Sequence, residues 1–425
     1  MAIRGLRPQK SRIPSKPACV SALARSTRHR QTGLMADQPS TETPTRPRIS
    51  VTVDGNRLEA LETGRERLQA ILDLIDGARS SLRLIFYIFA GDEAGTAVRD
   101  ALVRAARRGV VVRLLLDGYG SSGTDAKFFE PITSAGGAFC MFLPSYGRRY
   151  LIRNHQKLVI ADERRAIIGG ANVETVYLSD EGDKYWRDLW VLIEGSAAVP
   201  ASRYFDSLFL WTQTTGAKLR TLRRIVMRYS QTEGPLQWKF SGPLSRKNRL
   251  PAALARELST ARELDLIAAY FSPPWSFLRR LRRIARTGKA RIITAAKSDN
   301  NATIAAARHT YSRLLRRGVE MYEYQAAKLH TKLAIVDDVV HVGSANLDFR
   351  SLFINMEIVL RVDDAAFAAA MRGYFEREIE DSERITLSLH RRRANLWRRL
   401  KWTISYWLVT SMDYTVTRRL NFIER

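Results

Sequence analysis

The apolar positions of the chain change period several times, and the changes come twice in the same order. "LRLIFYIFAGDEAGTAVRDALVRAARRGVVVRLLLDG" (82–118) passes from a continuous apolar run into helical spacing that ends near Gly109, then into a second apolar run. Short apolar runs bounded by turn residues fit buried strands, and the 3.6-residue spacing between them fits an amphipathic helix. "LDLIAAYFSPPWSFLRRLRRIARTGKARIITAAKSD" (264–299) repeats the plan as strand, proline-punctuated turn, basic helix closed by Gly288, and strand. Two such units predict parallel strands with helices on the faces, hence an α/β fold of two similar halves. Ahead of them "RISVTVDGNRLEAL" alternates as a strand does, so folded chain is expected from about Arg48.

Each unit is followed by a segment built round a histidine: "NHQKLVIADERRAIIGGAN" (154–172) and "LHTKLAIVDDVVHVGSAN" (329–346). Side chains two apart on a strand share a face, so His155 projects with Lys157, and His330 with Lys332. The strand turns at Asp162-Glu163-Arg164 or at Asp337-Asp338 and returns through "AIIGG" or "VVHVG", a predicted hairpin in each half. Five residues separate Asp337 from Gly343, against six between Asp162 and Gly169, which leaves the second turn open. Gly169, Gly170 and Gly343 admit close approach of backbone or ligand, and Asn172 and Asn346 supply amide donors where the strand ends. One histidine on an apolar strand is most often a satisfied structural residue. Two segments 175 positions apart that share His-x-Lys, Asp seven after the His and Gly-[Gly/Ser]-Ala-Asn call for a common chemical reason.

Composition narrows the setting. The 425 residues, 45% of them apolar, suffice for one large domain or two medium ones. A formal charge of +26 attracts polyanions: nucleic acid, anionic lipid headgroups or a phosphate-bearing substrate. Two cysteines, Cys19 and Cys140, exclude a disulfide framework and a cysteine-rich metal site, and fit a reducing, cytoplasmic setting. No stretch approaches the roughly 20 uninterrupted apolar residues that cross a bilayer. The first 36 residues hold many cations, several prolines and no acid, and read as disordered. They lack the apolar core of a secretory signal; they are either similar to an organellar transit peptide or an upstream misreading with Met35 as the start.

On these residues the chain resembles the phospholipase D superfamily, marked by two H-x-K-x4-D motifs, each followed by GGxN or GSxN. Within it "FYIFAGDEAGTAVRDALVRAARRGVVVRLLLDGYGSS", "GGANVETVY", "YWRDLWVLIEG" and "GSANLDFRSLFINMEIVL" are similar to the bacterial cardiolipin synthases, and the resemblance covers roughly residues 58–385. It implies two halves, each a mixed β-sheet flanked by helices, with one active site between them. The expected boundaries are a basic tail over 1–47, halves over 48–235 and 236–385, and a basic aromatic membrane-interface segment over 386–425.

The resemblance implies a catalytic set of His155, Lys157, Asp162, His330, Lys332 and Asp337, with His155 as nucleophile, His330 as acid and base, and no cofactor or metal. Symmetry permits the reverse assignment of the histidines. Two lysines, with Asn172 and Asn346 as phosphate-binding amides, suit the neutralisation of a phosphodiester. Asp162 and Asp337 occupy the far turn and are expected to support structure instead of touching substrate. An imidazole in either role needs a carboxylate on its other nitrogen, and each half offers a candidate, Asp188 and Glu357.

The implied activity is transfer of a phosphatidyl group to the hydroxyl of phosphatidylglycerol, with phosphatidylethanolamine as a second candidate donor. The partner is then an anionic phospholipid membrane. "KLRTLRRIVMRY" (218–229), "WSFLRRLRRIARTGKAR" (275–291) and "RRRANLWRRLKWTISYWLVTSMDYTVTRRLNF" (391–422) join arginine runs to Trp, Tyr, Leu and Ile as interfacial helices do. Trp397, Trp402, Tyr406 and Trp407 are expected to line much of one helical face, the competing reading being a helix packed on the core. Residues 275–291 must in addition cover the sheet. Many cardiolipin synthases begin with two membrane-spanning helices; this chain shows none and is expected to sit peripherally on the cytoplasmic face of a bacterial membrane. A superfamily nuclease, a hydrolase or synthase using another alcohol, and a non-catalytic adaptor are the rival readings, with nucleic acid the less favoured partner.

Overall fold

The computed structural model describes residues 48–142, 152–182, 185–243 and 248–411. The expected basic tail over 1–47 lies outside them, as does the end of the C-terminal segment.

Two eight-stranded mixed sheets form the body. The first holds β1 (Ser50–Val53), β2 (Asn56–Leu61), β3 (Ser81–Phe86), β4 (Val111–Asp117), β5 (Ala138–Phe142), β6 (Leu158–Ala161), β7 (Arg165–Gly169) and, after the short β8 (Trp186–Arg187), β9 (Trp190–Glu194). Their order is β1-β2-β9-β7-β6-β3-β4-β5. The second holds β10 (Leu236–Ser241), β11 (Glu263–Ala268), β13 (Lys289–Ala295), β14 (Glu320–Tyr324), β16 (Lys332–Val336), β17 (Val339–Gly343), β19 (Glu357–Asp363) and β20 (Ser382–Ile385). The order there is β10-β19-β17-β16-β11-β13-β14-β20. Short strands β12 (Phe271–Ser272), β15 (Lys328–Leu329) and β18 (Leu347–Asp348) lie outside both sheets.

The repeated strand–helix–strand plan is present in both halves. β3 runs parallel to β4 across the helix Glu93–Arg107, and β11 runs parallel to β13 across the helix Trp275–Thr287. Both histidine segments close as hairpins, β6 with β7 and β16 with β17. The first hairpin turns over three residues, with Asp162 and Glu163 at positive φ; the second turns over Asp337-Asp338, with Asp337 at φ +49°. The residue missing before Gly343 is therefore lost from the turn, and the strands keep their facing register.

The segment 50–61 forms an antiparallel hairpin, not one strand. Alternation continues on both sides of Asp54-Gly55, which hides the turn from a period-two reading, but both residues adopt positive φ and reverse the chain.

A central core is common to the two halves. It takes Ile85, Leu115 and Leu158 from the first sheet, Ile267, Ile293 and Ile335 from the second, and side chains of the helices Ala198–Gln213 and Ala365–Glu380. The outer face of each sheet has its own core under its crossover helix. The helix Trp275–Thr287 buries Phe277, Leu278, Leu281 and Ile284, so it covers the sheet and leaves its arginines on the outer side.

The C-terminal helix, Leu396–Ser411, packs along the helix Asn301–Leu315. Its aromatic residues divide. Trp402 is buried and stacks on His390, and Tyr406 stacks on His309 while its hydroxyl donates to the Pro273 carbonyl. Trp397 and Trp407 face outward. The expectation of one aromatic face fails because Trp402 and Tyr406, four apart, share the protein side, whereas Trp397, Ile404 and Trp407, at intervals of seven and three, share the other. No helix among the described residues is long and apolar enough to cross a membrane.

Candidate functional site

The site begins where backbone of one half pairs with backbone of the other. β8 runs parallel to β15, which sets Arg187 beside Leu329, and the His330 N–H then donates to the Arg187 carbonyl at 2.7 Å. A bridge between Asn154 and Met356 does the same on the other side, where the His155 N–H donates to the Met356 carbonyl at 2.9 Å. Each histidine is thus fastened to the residue that precedes an acid of the opposite half.

The side chains follow. Nδ1 of His330 meets Oδ2 of Asp188 at 2.5 Å, and Nδ1 of His155 meets Oε2 of Glu357 at 3.0 Å. Both acids are fully buried. Each half supplies one candidate acid, and the structure pairs each with the histidine of the other half. The pairing also accounts for the variable position of the Gly-[Gly/Ser]-Ala-Asn element. A Cβ on Gly170 would stand 2.5 Å from an Asp188 oxygen, so glycine leaves room for that carboxylate. At the matching position the Ser344 hydroxyl donates to Glu357 Oε2 at 2.5 Å, anchoring the longer acid.

Both imidazoles open onto one cavity of about 730 Å³, together with Asn172, Asn346, Arg153 and Arg350. Oδ1 of Asn172 accepts from the Ile88 N–H and Oδ1 of Asn346 from the Tyr270 N–H, each at 3.2 Å. With its oxygen so committed, each side-chain amide is oriented with its NH₂ as the donor end. Aromatic rings pack on the imidazoles: Tyr87 on His155 at 4.9 Å, and Tyr177 on His330 at 5.1 Å between centroids.

The lysines stand differently from expectation. Lys157 donates to the His155 carbonyl at 2.7 Å and Lys332 to the His330 carbonyl, and neither lines the cavity. Regular strand begins at Leu158 and at Lys332, so the His-x-Lys units lie at the strand entrances, where the chain is still held by bonds between halves. Burial pushes Lys157 down to about 7 and Lys332 to about 8, against the pull of the buried carboxylates. Burial likewise lowers His155, against Glu357, and takes His330 to about 3, helped by the Lys332 charge. A neutral imidazole whose Nδ1–H faces a carboxylate keeps its lone pair on Nε2, the nitrogen left for chemistry.

Asp162 and Asp337 are not brought to the cavity. Asp162 accepts from the backbone N–H groups of Arg79, Ser80 and Ser81, and Asp337 from those of Arg262 and Glu263, each fixing the entry to a central strand. Burial raises Asp162 somewhat, but these donors outweigh it and hold the carboxyl at about 2. Arg153, Arg350 and the three tyrosines line the cavity without having been singled out in the sequence. A signal existed for Arg153, which extends the His155–Lys157 alternation one step back. Among the described residues no group of three or more His, Cys, Asp or Glu comes together to hold a metal ion.

Comparison with known proteins agrees with this geometry. A family model described as cardiolipin synthase, PLD-like domain, matches residues 71–208 and 254–379, so each match contains one histidine segment. The major cardiolipin synthase ClsA of Bacillus subtilis (strain 168) is 31% identical over 369 residues, covering 84% of this chain and 75% of its own. Cardiolipin synthase B of Escherichia coli (strain K12) is 31% identical over 331 residues, covering 75% and 79%. The phosphatidylserine synthase of Haemophilus influenzae Rd KW20 shares the fold at a TM-score of 0.67 and 16% identity, over 88% of this chain and 96% of that one. Two matched halves, relatives above 30% identity along most of their length, and a paired-histidine cavity place the chain in the cardiolipin synthase, PLD-like domain family.

Proposed function

We propose that the protein is a phosphatidyltransferase that makes cardiolipin from phosphatidylglycerol at the cytoplasmic face of a bacterial membrane. Nε2 of His155 attacks the phosphorus of one phosphatidylglycerol, and the bond to the glycerol headgroup breaks. His330, neutral in the free enzyme, takes up a proton on Nε2 as the phosphodiester anion enters beside it and gives that proton to the departing glycerol oxygen, leaving a phosphatidyl–His155 intermediate. The hydroxyl of a second phosphatidylglycerol then attacks that phosphorus, His330 takes its proton, and the N–P bond breaks to release cardiolipin. Asn172 and Asn346 donate to the phosphoryl oxygens, and the two ammonium groups add positive charge behind them. Phosphatidylethanolamine would enter the first step with ethanolamine as leaving group.

The observation that carries this reading is the crossed pair of His–carboxylate contacts, which turns two imidazole Nε2 atoms onto one cavity. The choice of His155 as nucleophile rests on the family resemblance and agrees with its greater exposure, 14% of the side chain against 5% for His330. The test incubates the full chain with vesicles of labelled phosphatidylglycerol. Cardiolipin and free glycerol are expected, with a loss of about 10³-fold or more in His155→Ala and His330→Ala. Phosphatidic acid as sole product would make it a hydrolase. An acid-labile phosphoryl adduct trapped on His330 instead of His155 would reverse the roles.

A further inference from the structure

A second opening lies under the C-terminal helix, away from the histidines. It is a groove of about 1310 Å³, larger than the reaction cavity, between Leu396–Ser411 and the body of the second half. Lys297, Arg308, Arg393, Arg398 and Lys401 line it, against only two acids, Glu323 and Glu383. Both acids are already engaged: Arg308 grips Glu323 through two bonds of 2.8 Å, and Arg393 grips Glu383 at 2.7 and 3.0 Å. The floor is apolar where Trp402 and Tyr311 reach it. His390 adds no charge, because burial, opposed by Glu323, takes its imidazole to about 4. The groove therefore offers a net positive, partly enclosed space of the kind that takes a phosphate-bearing anion.

The other side of the same helix carries five exposed large hydrophobic residues. Leu396, Trp397, Leu400, Ile404 and Trp407 are each 48–82% exposed and fall on one stripe, opposite the buried Trp402. Residues 386–411 contain six lysines and arginines and no acid. An apolar stripe beside a basic groove matches the two demands of an anionic bilayer, acyl boundary and headgroup phosphate, within one helix. Trp275, 49% exposed with the Arg313 guanidinium 4.3 Å from its ring centre, is a further exposed aromatic residue of the second half.

The helix is also tied to the reaction cavity. Tyr406 bonds the carbonyl of Pro273, three residues after Tyr270, which lines that cavity, and Lys297 of the groove lies two residues before Asp299, which lines it too. We infer that the groove under the C-terminal helix is a headgroup site for an anionic phospholipid that is not the one reacting. It seats the helix stripe in the membrane and holds the reaction cavity near the lipid surface. The inference rests on the reading that the substrates are bilayer lipids.

The test uses the full chain, wild type and two variants, Arg398→Ala/Lys401→Ala and Trp397→Ser/Trp407→Ser, with thermal melting to confirm folding. Co-sedimentation with phosphatidylglycerol-containing vesicles is expected to weaken roughly 30-fold when the two cations are removed, at about one factor of five per basic residue near the surface. The tryptophan variant loses the part of binding that persists at high salt. Turnover of short-chain phosphatidylglycerol dispersed as monomers is expected to stay within twofold in both. Glycerol phosphate or inorganic phosphate at millimolar concentration should not displace the protein from vesicles; full displacement would make the groove a site for a soluble phosphate and overturn the lipid assignment. Vesicle binding unchanged in Arg398→Ala/Lys401→Ala also overturns the inference, as does loss of binding to short duplex DNA with vesicle binding intact. A wild type that turns over no lipid while the variants still lose vesicle binding overturns the proposed reaction and leaves the groove assignment standing.

Discussion

At the scale of single residues, the charge state of two lysines decides how the cavity behaves with pH. Each ammonium is buried beside its own histidine's carbonyl, and burial has brought the pair to about 7 and about 8. Below those values both are charged and oppose the charge that builds on a phosphorane; above them that support is withdrawn. The imidazoles work the other way, since burial lowers both in the free site and takes His330 to about 3. The pH profile of kcat/KM, which reports the free enzyme, is therefore expected to fall as pH rises through about 7 to 8. Lys332→Arg, whose guanidinium stays protonated, is expected to shift that fall to higher pH even where it lowers the maximum. A fall that keeps its position in Lys332→Arg would assign it to another group.

At the scale of elements, the short parallel pair β8–β15 holds the site, and a buried ion network holds the pair. Arg187 of β8 reaches across to Glu378 on the helix Ala365–Glu380, donates to the Glu62 carbonyl at 2.6 Å, and shares the Glu62 carboxylate with Arg377. The carbonyl of the same Arg187 receives the His330 N–H, and the next residue is Asp188. Removing one partner of a buried pair costs about 3–5 kcal/mol, because the other charge is left without compensation. Glu378→Gln is expected to lose about that much in urea unfolding and to lower turnover well below its midpoint, since β8 loses its anchor. Unchanged turnover at full folding would separate the network from the site.

The network also shows where a reading of the sequence stops. Period and turn chemistry located both crossover units, both hairpins and the residues of the paired motif, because those features are local. The crossed pairing of Asp188 with His330 and Glu357 with His155 joins residues 142 and 202 positions apart and depends on how two halves dock, which no local period encodes. The same holds for the lysines: a shared strand face with the histidines requires a regular strand, and regular strand begins only at Leu158 and Lys332, after each histidine. On the C-terminal helix only the neighbouring helix Asn301–Leu315 and His390 decide that Trp402 turns inward and Trp397 outward.

At the scale of the whole molecule, the two halves share both a core and a site, and the sharing is unequal. A site assembled from two copies of the first half would set His155 against Asp188 twice, with Gly170 making room each time. The observed site instead matches a shorter acid to glycine on one side and a longer acid to Ser344 on the other. The central core is likewise made of unlike contributions, such as Trp238, whose indole N–H donates to the Ala197 carbonyl of the first half at 2.7 Å. A single half would expose its share of that core and leave its acid facing water with no imidazole to orient. Cutting the chain between Gln231 and Pro235, where it passes from one half to the other, is therefore expected to give two fragments that neither unfold cooperatively nor turn over phosphatidylglycerol alone. Producing the fragments together should restore both properties, because every cross-half bond of the site is non-covalent. A first fragment that sediments as a dimer and turns over lipid unaided would show that the asymmetry around Gly170 and Ser344 is dispensable, and that symmetry alone suffices to build the site.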